Sequence, residues 1–555
     1  MINNLLLFLE EKTKKFGENT ALGIRTNLGW SELTYKGINI LAKRLGGYLI
    51  HNGIQKGDKI AILSESTPEW SAAFFSIIIA GGTVVPLDIK LTQYELNSIL
   101  NDCLPRILLV SSAHFEMGLK MKEQIPSIEQ VILMDDKGAN RDYESIYTIP
   151  DYPVKKWRHR SQNKTALIIY TSGTTGMPKG VQITYKNIIS QVNNVVKSFP
   201  LTPNDRLLSI LPMNHLFELT VGFLSFLSLG ANLYYSKSLK PNDLFEVIQK
   251  KKVTFMVVVP AFLKLLKTSL EASVSKYNPF RKFLFHVKFR IAELIPSFTL
   301  RKLLFRTLHK RLGGKFKGVL SGGAPLDINI GKFFNTIGIQ VYEGYGLSEA
   351  SPIVSLNTKG HNKLGSVGRP LPDMDVRIDA ETGELQVKGP NVMKGYFKRD
   401  DLTAEVMTED GWLRTGDIAR IDNDGFIWIT GRIKNMIVLS GGKKVFPEEV
   451  EAVMEKSPKF AELCVFGGVR QGGQKDGSED IVIKIVPTEE MQNDFPNDVD
   501  LEKEIIKEVK EYSKRLSNFK RPTTIIISKE ALPRTATKKV KRKEIKQEYD
   551  KDKKR

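Results

Sequence analysis

The 555 residues supply material for several core-forming units, and a hydrophobic fraction of 41% is ordinary for a soluble globular protein. Two cysteines, Cys103 and Cys464, exclude a disulfide framework and give no metal-ligand spacing, which fits a reducing, cytoplasmic setting. The formal net charge is +20, and it is unevenly placed along the chain.

Met1–Glu10 carries a short apolar patch without a basic leader or a small-residue cleavage site, so an amphipathic helix is expected there rather than a signal peptide. Strand-like runs at Lys59–Leu63, Thr83–Leu87 and Arg106–Val110 alternate with helical patterns at Glu69–Ile79 and Thr92–Leu100. That alternation predicts parallel sheets covered by helices. The run Ala166–Tyr170 predicts a buried strand, with a helix from Asn187 onward. Between them, Tyr170-Thr171-Ser172-Gly173-Thr174-Thr175-Gly176-Met177-Pro178-Lys179-Gly180 gathers four aliphatic hydroxyls, three glycines and a lysine within eleven residues. Glycine lets backbone N–H groups converge on anionic oxygens, the hydroxyls add donors and the lysine adds charge, which together describe a cradle for ATP phosphates. It is not the Walker loop, because Pro178 stands where that motif needs its second glycine.

The longest apolar stretch, Leu219–Tyr235, follows Glu218 and is interrupted by Gly222, Gly230 and Asn232, so it falls short of the roughly twenty residues a bilayer span requires. A core helix and strand are expected. From Lys276 to Lys317 twelve Lys or Arg face Glu293 alone, a net +11, with Phe280, Phe283, Phe285, Phe289, Phe298 and Phe305 interleaved. Such a segment suits an anionic membrane surface, and equally a solvated basic face on helices packed by their aromatics. No nucleic-acid recognition module accompanies it, so nucleic acid is not expected as a partner. Between Gly365 and Thr430 the pattern turns to short, turn-punctuated segments at Val376–Ile378, Gly383–Lys388 and Phe426–Thr430, which predict antiparallel strands. A further unit follows, with helices at Val445–Glu455 and Val499–Leu516, strands at Ile481–Pro487 and Thr523–Ile527, and a Lys-rich low-complexity tail from Lys538 to Arg555.

The phosphate segment is followed in order by Leu211-Pro212-Met213-Asn214-His215, Ser321-Gly322-Gly323-Ala324-Pro325, Tyr342-Glu343-Gly344-Tyr345-Gly346-Leu347-Ser348-Glu349, Gly411-Trp412-Leu413-Arg414-Thr415-Gly416-Asp417, Gly431-Arg432-Ile433-Lys434 and Pro533-Arg534-Thr535-Ala536-Thr537-Lys538-Lys539. These blocks resemble the acyl-adenylate-forming superfamily, which includes acyl-CoA synthetases, luciferases and adenylation domains of peptide synthetases. The subclass they look most like is the bacterial long-chain fatty acyl-CoA synthetases. The resemblance implies an α/β fold: a large N-terminal domain of helix-covered sheets over residues 1–431, with a small antiparallel barrel-like subdomain at 365–430, and a small mobile α+β C-terminal domain at 432–555.

Free carboxylate is a poor electrophile because its leaving group would be oxide, and adenylation replaces that oxygen with AMP. The resemblance implies that Thr171, Ser172, Gly173, Thr174, Thr175, Gly176 and Lys179 hold the β and γ phosphates. Tyr345 is expected against the adenine, with Gly322, Gly323, Ala324 and Pro325 on the other side of the base and Glu343, Gly344, Gly346 and Ser348 beside it. Glu349 is expected to bind Mg²⁺, Asp417 to accept both ribose hydroxyls and Arg432 to contact ribose or phosphate. His215 gates or lines the acyl pocket, or else is packed in the core. The family pattern aligns Lys538 with a glycine and Lys539 with the catalytic lysine, which binds the carboxylate and offsets charge on pentavalent phosphorus. Lys434 is the pivot, although Asn435 replaces the usual acidic neighbour, and swinging of the small domain brings the Gly441-Gly442 loop toward the thiol entrance. Expected substrates are a fatty acid, ATP and coenzyme A. A ligase that loads a carrier protein, and a non-catalytic lipid- or nucleotide-binding protein, remain alternatives.

Overall fold

The computed structural model describes residues 2–27, 29–136, 143–154, 158–171, 178–236, 238–276, 278–439, 443–469, 479–534 and 540–552. The chain packs as two compact units, one of residues 1–376 and 387–413 and the other of 377–386 and 414–555.

The first unit holds two sheets. One has seven strands in the order Gly395–Tyr396, Lys179–Thr184, Thr165–Thr171, Thr83–Pro86, Lys59–Leu63, Ile107–Val110 and Gln130–Leu133. The last five are parallel and the first two antiparallel. The other has nine strands, of which the six from Gln340–Gly346 through Gly318–Ser321, Phe255–Val258, Arg206–Ser209 and Asn232–Tyr235 to Thr20–Thr26 are parallel. Parallel strands are covered on both faces and therefore read as unbroken apolar runs, as in Phe255–Val258 and Ile107–Val110, where every residue is buried. Helix starts are fixed locally. Thr92 accepts the Glu95 N–H while Glu95 caps Thr92 in return, and Thr184 and Asn187 make the same reciprocal box.

The α/β expectation holds, and the structure adds detail to it. The phosphate segment follows a buried strand, as expected. It lies between two antiparallel strands in which Thr171 opposes Lys179, and the helix Tyr185–Ser198 begins after the second strand. The Leu219–Tyr235 stretch contains a π-helix, Phe217–Leu224, then Ser225–Ser228 as α-helix and Asn232–Tyr235 as strand. No described helix is long and apolar enough to cross a membrane. The basic segment forms the helices Pro279–Leu294, Phe298–Leu304 and Arg306–Arg311.

The second unit takes most of a four-stranded sheet, Asp375–Ile378, Glu384–Lys388, Leu413–Ile421 and Ile427–Arg432, the last two antiparallel. Residues 414–431 thus pack with the C-terminal unit. A three-stranded sheet of Phe460–Val469, Glu479–Pro487 and Thr524–Ile527 is covered by Pro447–Met454 and Asp498–Ser513, whose Val450, Met454, Leu501, Ile505 and Val509 are buried. The Lys-rich tail is not without structure: Arg542–Asp552 is a helix.

Candidate active site

Three parallel strands end together in the large unit. Val258, Ser321 and Glu343 share one register level, so the segment that begins at Gly322 and the Gly344–Gly346 run both emerge at carboxyl ends of the nine-stranded sheet. Such ends are where open α/β sheets bind ligands. A Cβ at Gly322 would stand 3.1 Å from the Phe217 ring, which brings the Asn214–Glu218 block against this edge. Tyr345 pairs with Ser355 in the neighbouring antiparallel strand. Gly323 has φ +83°, while Ala324 and Pro325 are exposed on the following loop.

Glu343 uses its side chain within the protein. Its carboxyl is buried and accepts the Gly365 N–H at 2.9 Å, which ties down the loop after His361. Burial raises its pKa to about 7, against the opposing effect of that N–H. Ser348 and Glu349 lie in the 3₁₀ turn Ser348–Ala350 just beyond the strand.

On the seven-stranded sheet Lys179 opens the second strand of the hairpin, and its ammonium lies 5.3 Å from the Tyr396 ring centroid. The Tyr396 hydroxyl donates to Glu349 Oε1 at 2.7 Å. Lys179 and Glu349 are therefore brought together through a residue that sequence reasoning missed. Burial, then the Glu349 charge, hold the Tyr396 phenol far above its ordinary pKa, so it stays a donor. Nothing in Met393-Lys394-Gly395-Tyr396 signals this in the sequence; the placement comes from the strand, which pairs Tyr396 with Val181.

His215 precedes the π-helix, its N–H bonded to the Pro212 carbonyl at 3.1 Å. The neighbouring Glu218 is fully buried, and neither carboxyl oxygen has a hydrogen-bond partner among the described residues. Gly222 makes room for it, since a Cβ there would lie 2.6 Å from Glu218 Oε1. The space beside Gly222 is thus taken by a carboxyl group. Burial raises the Glu218 pKa to about 8, opposed weakly by the Ser209 hydroxyl, which lies outside ordinary hydrogen-bond geometry.

In the second unit Asp417 and Arg432 face each other across paired strands, and Arg432 Nε donates to Asp417 Oδ1 at 2.6 Å. The Asp417 side chain is 4% exposed and the Arg432 side chain 56% exposed, so the guanidinium is the solvent-facing member. Glu384 Oε1 accepts the Gly416 N–H at 2.7 Å and the Thr415 hydroxyl donates to the Leu385 carbonyl at 2.6 Å, fixing the Thr415–Asp417 strand. Lys434 lies in the 3₁₀ turn Ile433–Asn435. Ser172, Gly173, Thr174, Thr175 and Gly176, Gly441 and Gly442, and Lys538 and Lys539 lie outside the described residues.

These sites sit on a chain that belongs to the AMP-binding enzyme family. Residues 9–397 match the family described as AMP-binding enzyme, and residues 434–553 match the AMP-binding enzyme C-terminal domain. Among curated relatives, the long-chain-fatty-acid–CoA ligase FadD15 of Mycobacterium tuberculosis (strain H37Rv) is 31% identical over 451 residues, 78% of this chain and 74% of that protein. The long-chain-fatty-acid–CoA ligase of Bacillus subtilis (strain 168) is 28% identical over 500 residues, 83% of this chain and 82% of that protein. Among solved structures, the O-succinylbenzoate coenzyme A synthetase of Bacillus subtilis in complex with AMP aligns with a TM-score of 0.76 at 25% identity, covering 97% of this chain and 98% of that one.

The two buried carboxyls have a stability consequence. A folded-state pKa raised from 4.5 to about 8 means that the native state keeps a proton the unfolded chain has lost, so stability falls as pH rises from about 5 through about 8. Each pKa unit corresponds to ~1.4 kcal/mol, so the loss reaches several kcal/mol. Calorimetry across this range should show the large unit's melting temperature falling with pH in the wild type and falling less in Glu218→Gln. Equal slopes would remove Glu218 as the source.

Proposed function

We propose that the protein activates a long-chain fatty acid at the expense of ATP and passes the acyl group to coenzyme A. In the first half-reaction a carboxylate oxygen of the acid attacks the α-phosphorus, the bond to the bridging oxygen breaks and pyrophosphate leaves. In the second the thiol sulfur attacks the acyl carbonyl carbon, the bond to the phosphate oxygen breaks, AMP leaves and the thiol proton passes to solvent. Membership of the AMP-binding enzyme family over both matched segments carries this reading. The preference for a long acyl chain is supported by the two ligases named above; the O-succinylbenzoate enzyme shares the fold with a different acid, so the fold alone does not set the substrate.

Lys179 and the hydroxyl-rich segment before it neutralise the β and γ phosphates, while Gly322–Pro325 and Tyr345 take the base. Asp417 accepts from the ribose, with Arg432 as its paired donor toward ribose or phosphate. Glu349 fits a magnesium site: one of its oxygens accepts from Tyr396, and the other, as a hard oxygen donor, would serve a cation that is otherwise held by phosphate and water. Bound there, the cation would spread the charge developing on the phosphates. Lys539 binds the carboxylate in the adenylation step, and the chain pivots at Lys434 between half-reactions.

The acid is taken from an anionic membrane surface. The helix Pro279–Leu294 buries Ala292 alone, with Phe285 and Phe289 packed on the core beside it. Its opposite side exposes Phe280, Phe283, Leu284, Ile291 and Leu294, at 72, 66, 40, 47 and 85%, which fall on one face of the helix at 3.6 residues per turn. Arg281 and Lys288 border it on one side and Arg290 on the other. An apolar stripe rimmed by cations is the pattern of a helix lying in a lipid headgroup layer.

Two experiments test these assignments. Lys539→Ala should lower acid-dependent ATP–pyrophosphate exchange by about a hundredfold or more while still converting supplied acyl-AMP to thioester, and Lys538→Ala should be mild. Equal loss of both half-reactions would remove the adenylation role, and coenzyme A-independent product on a carrier protein would replace the acceptor. Sedimentation with anionic liposomes should weaken as salt rises, since surface attraction decays over about 8 Å at physiological ionic strength. Replacing Arg281, Lys282, Lys288 and Arg290 with glutamine should reduce it, and unchanged sedimentation would return the helix to a solvated face.

A further inference from the structure

Within the second unit one carboxylate oxygen joins the pivot to the segment that carries Lys539. Asn435 Nδ2 donates to Glu448 Oε1 at 2.6 Å, and Arg542 Nη1 donates to the same atom at 3.0 Å. Only the amide nitrogen of Asn435 can serve here, because a carboxylate is an acceptor alone. Arg542 Nη2 continues to Glu451 Oε1 and Oε2 at 2.7 and 2.6 Å, and Glu451 Oε1 accepts the Val465 N–H at 2.8 Å. Asn435 belongs to the turn that holds Lys434, Glu448 and Glu451 lie on the helix Pro447–Met454, and Arg542 opens the helix Arg542–Asp552.

Arg542 follows Lys539 by three residues, and the backbone on both sides of 535–539 is clamped. The Lys541 N–H donates to the Pro533 carbonyl at 2.8 Å, and Arg534 bridges Val540 in antiparallel fashion. Glu462 holds the other stem, accepting the Leu532 N–H at 2.8 Å and pairing with Arg534 at 3.1 Å. The side chains of Glu448, Glu451 and Arg542 are 23, 15 and 21% exposed. Glu448 Oε2 and Arg542 Nε are buried without a partner among the described residues, so each of these two residues has one bonding position unspent there.

We propose that Asn435, Glu448 and Arg542 are positioning residues that couple the state of the pivot to the Lys539 segment, an inference that rests on the proposed roles of Lys434 and Lys539. Buried ion pairs add little net stability compared with apolar packing of the same volume, and their better-attested use is to specify one arrangement. Here Asn435 and Arg542 share one oxygen. Rotation at the pivot that withdraws the Asn435 amide leaves that oxygen to Arg542 alone and changes the anchor of the helix that follows Lys539. The Asn435 position, which departs from the family's acidic residue, is what makes the link possible, since an acid there would repel Glu448 rather than donate to it.

The test separates the half-reactions in the full-length protein. Glu448→Gln and Asn435→Ala should each lower acid-dependent ATP–pyrophosphate exchange by about tenfold, as expected when a catalytic group is misplaced, and change thioester formation from supplied acyl-AMP by less than about threefold. The double variant should be no worse than the poorer single one, because both cut the same link. Multiplicative effects, or parallel loss of both half-reactions together with a lowered melting temperature, would overturn the coupling and leave a structural ion pair. Lys539→Ala, run alongside, tells this failure from that of the underlying reading: if it spares thioester formation while the link variants lower both reactions equally, the link alone is wrong.

Discussion

No side chain fits where the strand Gln340–Gly346 turns out of its sheet. A Cβ at Gly346 would lie 1.9 Å from the Pro352 carbonyl oxygen, so only glycine lets this strand pass so close to the antiparallel strand beside it. A side chain at that position would push the two strands apart. The neighbouring placements follow from this constraint. Glu343 turns inward and secures the Gly365 loop, while Glu349 falls in the short turn after the glycine, where the Tyr396 hydroxyl reaches it. Tyr396 stands on a strand paired to the one that Lys179 opens, so the proposed base platform and phosphate hairpin are tied through one phenol.

Buried acids in this protein are handled in two ways. Asp417 has a guanidinium at 2.6 Å and keeps its place by ion pairing. Glu218 has no such partner, and it is tolerated in the core because the neutral acid costs far less to bury than the carboxylate. Gly222 supplies the volume, four residues on in the same π-helix. The π-helix is a wider turn than the α-helix, and such turns concentrate near functional sites. Its ring neighbour Phe217 meets the Gly322 edge, so the packing of an acid in the core bears on the shape of the proposed nucleotide edge.

Legibility in the sequence tracked how local each feature was. Strands such as Lys59–Leu63 and helices such as the one expected at Glu69–Ile79 and found at Pro68–Ile79 announced themselves by apolar patterning, and Asp417 and Arg432 proved to be opposed on one hairpin of strands. Tyr396 was not legible, because its partner Glu349 is 47 residues away and nothing in either stretch names the other. The π-helix escaped because apolar periodicity over eight residues does not separate it from an α-helix. The tail was taken for low complexity on its lysines, yet Ile545 and Tyr549 stand four residues apart. Ile545 is 1% exposed and the Tyr549 ring lies 5.5 Å from Phe466, enough apolar contact to seat the helix on the small sheet.

The basic segment shows the same principle with two solvents. Along Pro279–Leu294 the inward positions Phe285, Phe289 and Ala292 follow one another by four and three residues, and Phe289 stacks on Phe333 at 5.7 Å. The six phenylalanines of the sequence motif are therefore not one set, since Phe285, Phe289 and Phe305 are used up in the core. What remains outside is chiefly Phe280, Phe283, Leu284, Ile291 and Leu294, and burying one such side chain fully is worth about 1.5–3 kcal/mol. A helix that leaves so much unspent on one face, while the flanking Lys and Arg keep it wetted, gains most when an apolar layer edged with negative charge replaces water. The long-chain acid proposed as substrate is concentrated in such a layer, which gives the exposed face and the proposed chemistry a common reason.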